Sequence, residues 1–164
     1  MQSQQLFIKM ALDAWNKENA KVDKIFDTFT EEQVKSEVAP GRNSGLYLLG
    51  HLVAVNDAMI PLLGFGEMLY PNLQNIFISN EDKSGLEKPS MAELKKCWHD
   101  INASLNKHFS EMQPGDWFTR HNSVSPEDFL NEPHRNKLNI IISRTIHQSY
   151  HLGQLVFLNA TVAA

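Results

Sequence analysis

Residues 138–159 read LNIIISRTIHQSYHLGQLVFLN, and their periodicity decides the fold class. At about 100° per residue, Leu138, Ile141, Ile142, Ile146, Leu152, Leu155 and Val156 cover most of a helix circumference. The remaining sector carries Ser143, Arg144, His147, His151 and Gln154, bounded by Ile140 and Leu158. Arg144 is the one formal charge in the stretch. A solvent face would carry Lys and Glu, and this sector has neither. It is expected to line an internal cleft, on a helix that is apolar nearly all round and therefore central.

Working outward, three more long helical patterns precede this one. The first spans about Gln4 to Thr28, with Leu6, Phe7, Met10, Ala14, Val22, Ile25 and Phe26 as an incomplete apolar stripe. Thr30 and Gln33 form a capping box that opens one short extra turn. After the Pro40-Gly41 break, Asn43 or Ser44 caps a second long helix reaching Ile60 to Leu63, which Pro61 kinks or ends. Ser90 and Glu93 form another capping box, opening a third helix that stops before Pro114. The fourth runs from about Lys137 to Asn159. Connections over 64–89 and 113–136 exceed the usual helix–helix loop, so each is a crossover or a wall of a functional site. Residues 67–78 have room for a short helix. The expected fold is all-α, a four-helix bundle with long crossover connections, in one domain over 1–164.

Composition excludes several function classes. The chain has 164 residues, 42% apolar and 21% charged, with a formal net charge of −4. That balance suits a globular core and offers no basic face for nucleic acid. Cys97 is the one cysteine, so no internal disulfide forms. There is no basic n-region followed by a continuous apolar run at the start, and no run of about 18 apolar residues. No membrane span or signal peptide is expected, and the location expected is cytoplasmic.

His147 and His151 stand four apart and project from one face, one turn apart. Two imidazoles so placed can share a metal ion, as in the helical H-E-x-x-H motif of zinc proteases. Gln148 sits where that motif has its catalytic Glu, which argues against such a protease. A third ligand is available on the second helix, where His51 lies among Tyr47, Leu48, Val55, Ala58 and Leu62. A histidine in that company is expected to be buried, and a buried imidazole needs a hydrogen-bond partner or a metal. Asp57, the one charge on that helix, points about 120° away. Three neutral imidazoles leave an ion at least one open position, the pattern of a catalytic rather than a closed structural site. Such an ion lowers the pKa of a bound water or thiol. Imidazole ligands suit Zn, Ni, Fe or Cu equally.

Other polar residues have weaker claims. Arg144, on the same sector, is a candidate for contacting an anionic substrate group or for a helix-surface salt bridge. Tyr47 and Gln154 are candidates for the outer edges of the ligands, with core packing and an ordinary hydrogen bond as their other reading. His99 reads as solvated, and His108 as a core histidine or helix-end cap. His121 and His134 lie in the second long connection, which has the length to fold over the metal. Cys97 reads as packing, since no basic partner adjoins it in sequence.

The segments NSGLYLLGHLVAVND (43–57) and RTIHQSYHLGQL (144–155) together resemble the DinB/YfiT-like superfamily of metal-dependent proteins. Leu48-Leu49-Gly50-His51-Leu52 matches its "LxxHL" context, and His147, His151, Gly153 and Gln154 match "HxxxHxGQ" in order. About 95 residues separate the two motifs, so the resemblance covers nearly the whole chain. Leu152 departs from the pattern, since many members carry Arg there. The resemblance implies one divalent ion on His51, His147 and His151, a homodimer, and a small-molecule substrate. Some relatives use a low-molecular-weight thiol as cosubstrate in transfer or isomerisation reactions, and with the site chemistry the activity expected here is that of a metal-dependent transferase or hydrolase. The other class left open is a non-catalytic metal-binding or dimeric interaction protein in which the site is structural.

Overall fold

The computed structural model describes residues 2–158. Its helices are α1 (Gln2–Thr28), α2 (Glu31–Lys35), α3 (Gly45–Leu63), α4 (Asn72–Phe77), α5 (Met91–Glu111), α6 (Pro126–Asn131) and α7 (Lys137–Leu155). A 3-10 turn covers Asp116–Phe118, and another continues α7 through residue 158. No strand occurs among the described residues, and four helices long enough to form a bundle (α1, α3, α5, α7) do so. Asn159, the expected end of the last helix, lies outside the described residues.

Local chemistry sets most boundaries. Thr30 with Gln33 and Ser90 with Glu93 close complete capping boxes, and the Ser44 hydroxyl accepts from the Tyr47 amide. Pro61 ends α3 only two residues later, at the left-handed Gly64 (φ 81°). Inside the last turn a missing amide donor costs little, because the helix is about to stop.

Cross-chain pairs give the helix directions. Asp27 meets Lys95, Asp23 meets Trp98 and Asn19 meets Asn102, so α1 and α5 are antiparallel. Asn19 also meets Gln148, while Ile25 and Phe29 share a groove with Leu152 and Val156, so α1 and α7 are parallel. Gly45 lies against Leu158 and His51 against His147, so α3 opposes α7. It follows that α3 and α5 run the same way. Residues 64–90 are therefore a true crossover, whereas 112–136 joins two antiparallel helices at one end of the bundle.

The central helix is α3, not α7. Fifteen of its nineteen residues are buried. It is long and apolar enough to cross a membrane by composition, yet 78% of that window lies inside the bundle. On α7, by contrast, Ile146 is 66% and Tyr150 64% exposed. The α1 stripe also needs correcting. Its core residues are Ile8, Ala11, Trp15, Val22 and Phe26, while Leu6, Phe7 and Met10 face outward. Trp15, which periodicity overlooked, is completely buried and fixes which side of α1 turns in.

One polar layer crosses this core. Asn19, Asn56, Asn102 and Gln148 supply one carboxamide from each long helix, joined by hydrogen bonds of 3.0–3.4 Å.

Candidate metal centre

The site begins with how the crossover is fastened to α3. Asp57 accepts from the amides of Leu69 and Tyr70 at 2.8 Å, and Gln74 donates to the Ala54 carbonyl at 2.7 Å. The Tyr47 hydroxyl donates to the Asn80 carbonyl at 2.7 Å, and Asp82 accepts from the Ser44 amide at 2.6 Å. These pairs run antiparallel along the whole helix. At their midpoint the Phe77 carbonyl stands 2.9 Å from His51 Nδ1. A carbonyl only accepts, so His51 carries its hydrogen on Nδ1 and turns a bare Nε2 toward α7.

On α7 the same arrangement recurs with a side chain. His151 Nδ1 lies 2.7 Å from Gln154 Oε1, one turn on, which leaves the His151 Nε2 lone pair free. His147 Nε2 stands 3.2 Å from His51 Nε2 and 3.1 Å from His151 Nε2. Three Nε2 atoms thus converge, and the ligand nitrogens all lie within 4.8 Å of one another. Two nitrogens on one tetrahedral ion at about 2.0–2.1 Å would sit about 3.3 Å apart, so both short separations suit a shared cation. Shared protons fit less well. With His51 and His151 both bare at Nε2, one hydrogen on His147 can serve only one of them.

Electrostatics favours the neutral rings that a metal requires. Burial first, then the His151 and His51 rings and the Arg144 cation, push the His147 imidazole down to about 4. Burial also lowers His151, opposed by its bond to Gln154. His147 differs from the other two histidines in that its Nδ1 is buried without a partner.

All three rings are half-buried, so His51 is less enclosed than its apolar stripe implied. Arg144 and Gln154 are likewise half-buried and Ser143 is exposed, so the polar sector is partly open to solvent rather than sealed inside the bundle. Tyr150 leans on His151 at the surface, with ring centroids 5.1 Å apart. A cavity of about 210 Å³ lies beside Gln154, the hydrogen-bond partner of His151, and is bounded by Val38, Gly41, Arg42, Asn43 and Leu48. Larger cavities lie between α1 and α5 (340 Å³) and between α1 and α7 (270 Å³), and the triad histidines line none of these three.

Arg144 makes no salt bridge among the described residues; burial lowers its pKa and its Nε lacks a partner. Gln154 proves to hold the His151 ring, and Tyr47 to fasten the crossover beside His51. The remaining histidines lie apart. His99 is exposed near Asp23, and His108 stacks on Phe65 at 4.6 Å. His121 is buried against Ser123, and His134 is exposed. Both belong to the 112–136 connection, which packs on the C-terminal end of α3 through Asn122 and Pro61. The triad lies toward the opposite end, so the wall of the centre is the first connection, not the second. Cys97 is buried and its thiol is pushed up chiefly by that burial, which makes it packing. Sequence reasoning also missed Asp57 as the crossover's anchor and Phe77 as the His51 partner. Backbone acceptors leave no side-chain signature, though a lone carboxylate on an apolar helix was a visible sign of an internal partner.

No family profile matches the sequence, and no curated protein does. Solved structures do match. A DinB-like protein from Bacillus cereus aligns over 93% of this chain and 91% of its own, with TM-score 0.62 and 20% identity. A conserved protein from Enterococcus faecalis aligns over 90% of this chain and 96% of its own, with TM-score 0.53 and 11% identity. The chain has the DinB-like fold.

Proposed function

We propose that the protein binds one divalent metal ion on His51, His147 and His151 and uses it as a metal-dependent transferase or hydrolase on a small substrate. The observation that carries this reading is the convergence of three Nε2 atoms, two of them fixed in the ligating tautomer by Phe77 and Gln154. A bound ion of this class supplies Lewis acidity, and lowers the pKa of water or of a low-molecular-weight thiol cosubstrate. The chain's own residues favour the neutral form of His147 and His151 and aim the rings. Tyr150 stands against His151 at the surface, and the cavity beside Gln154 leaves room for a ligand.

A centre whose three rings are only half-buried favours catalysis over a sealed structural site. Zn, Ni and Fe all suit imidazole donors. A homodimer in the cytoplasm belongs to the same proposal. The outward Leu6, Phe7, Met10, Ile146 and Tyr150 supply apolar surface for an interface, and sedimentation decides it.

The test is elemental analysis of untagged protein together with a screen for thiol-transfer and hydrolysis. Native protein should carry up to one ion per chain. His51→Ala, His147→Ala and His151→Ala should each lose most of it, while His99→Ala keeps it. Equal metal in all four variants would place the ion elsewhere. Metal bound without turnover in the screen would favour the structural role.

A further inference from the structure

Three residues before His147 on α7, Arg144 projects from the same helical sector, one turn from the ligand. Among the described residues it has no carboxylate within salt-bridge distance, and its Nε is buried with no hydrogen-bond partner. The other arginines differ. Arg135 pairs with Glu132, Arg120 donates to the Val124 carbonyl, and Arg42 is exposed to water. A half-buried guanidinium has lost part of its hydration, and an unpaired one has nothing in its place. Purely structural arginines are normally given an acceptor; this one, on the histidine sector of α7, has none for its buried Nε.

We infer that Arg144 is the receptor for a carboxylate carried by the small-molecule substrate of the histidine centre, an inference that rests on the metal reading above. The guanidinium fork matches a carboxylate's two oxygens, which fixes orientation as well as charge. Arg144 is also the one permanent cation whose field acts on His147. A single fixed positive charge suits a monoanion better than a phosphate dianion, which usually draws several donors. Residues i and i+3 have Cβ atoms about 5–6 Å apart, so the anchored carboxylate and the reacting group belong to one small molecule. Arg144 then acts by binding and orienting the substrate, while the neighbouring histidines hold the ion.

The experiment measures binding of ¹³C-acetate and of inorganic phosphate by NMR, on zinc-loaded and on metal-free protein. Wild type is compared with Arg144→Gln and Arg144→Lys, with zinc content determined for each. Removing a charge-assisted hydrogen bond should weaken acetate binding at least about tenfold in Arg144→Gln, with zinc content unchanged. Arg144→Lys, which keeps the charge and loses the fork, should fall between, and it stands in if the glutamine variant fails to fold. Equal acetate affinity in wild type and the variants would overturn the inference, as would no acetate binding by wild type. Tighter phosphate than acetate binding would overturn the carboxylate assignment. If wild type binds no zinc, the metal reading is what has failed. The metal-free comparison then decides Arg144 by itself, since an Arg144-dependent acetate site would remain there and its absence would overturn the inference.

Discussion

At the scale of single residues, the three histidines are distinguished by what holds their far nitrogens. His51 is held by a backbone carbonyl and His151 by the Gln154 amide, whereas His147 has no outer acceptor. Partners of this kind typically set metal affinity by 10–100-fold, because they fix the tautomer and the ring angle. Gln154→Leu should therefore lower zinc affinity by about that factor while the melting temperature of the metal-free protein barely moves. Competition with a chelator measures the first quantity and calorimetry the second. Unchanged affinity would mean that Gln154 is only a neighbour. The three histidines were legible as one candidate group because i,i+4 spacing and the absence of other charges on two helices are local signals. The outer partners were half legible. Gln154 lay on the same helix face as His151, but the Phe77 carbonyl belongs to a segment placed by tertiary structure alone.

At the scale of elements, the informative pair is α3 with the crossover laid along it. Gly50 shows why the pair is sensitive. A Cβ built there would lie 2.3 Å from the Phe77 ring, whose residue also orients His51. Gly50→Ala should cost about 1–3 kcal/mol through overpacking and should weaken metal binding as the Phe77 backbone shifts. Gly153, the glycine of the second motif, meets nothing within 4 Å, so Gly153→Ala should be neutral or stabilise by up to about 1 kcal/mol. Denaturant melts of both variants check the contrast; equal destabilisation would refute the packing account. Asp57 tests the fastening itself. It is fully buried on two crossover amides, and burial raises its pKa against their pull. Asp57→Ala should cost about 1–3 kcal/mol, read from the same melts. Helix positions and caps were legible because capping boxes and prolines act within four residues. The inward face of α1 was not. Leu6, Phe7 and Met10 imitate a core stripe, and only packing around Trp15 shows that they face out.

At the scale of the whole molecule, the all-α bundle was legible, but helix direction was not, since long connections permit either a crossover or a return. The outcome matters because an ion on His51 and His147 would tie together helices whose ligands lie 96 residues apart, making metal binding and global stability one equilibrium. Protons enter the same equilibrium with a definite sign. His147 is held down to about 4 in the folded chain, and His151 and His121 are also lowered, whereas an unfolded imidazole titrates near about 6.5. Between those values the unfolded chain binds protons that the folded chain refuses, so acidification favours unfolding. This contribution is fully present above about pH 6.5 and is lost as pH falls toward 4. The lowered carboxylates Asp27, Glu37, Asp82, Glu93 and Asp100 lose theirs only below the ordinary carboxylate range, and Asp57, raised by burial, acts in the opposite sense. The interval from pH 7 to 5 therefore reports chiefly on histidines. Metal-free protein should melt at progressively lower temperature across it. Zinc at a hundred times its dissociation constant should add about 2.7 kcal/mol at pH 7.5, and an amount that shrinks steeply below about pH 6.5 as protons compete for three lone pairs. His147→Ala should remove the zinc increment and flatten part of the metal-free slope. Calorimetry of both forms at half-unit pH steps measures all three quantities. A zinc increment that persisted unchanged to pH 5 would point to carboxylate ligands and count against the three-histidine centre.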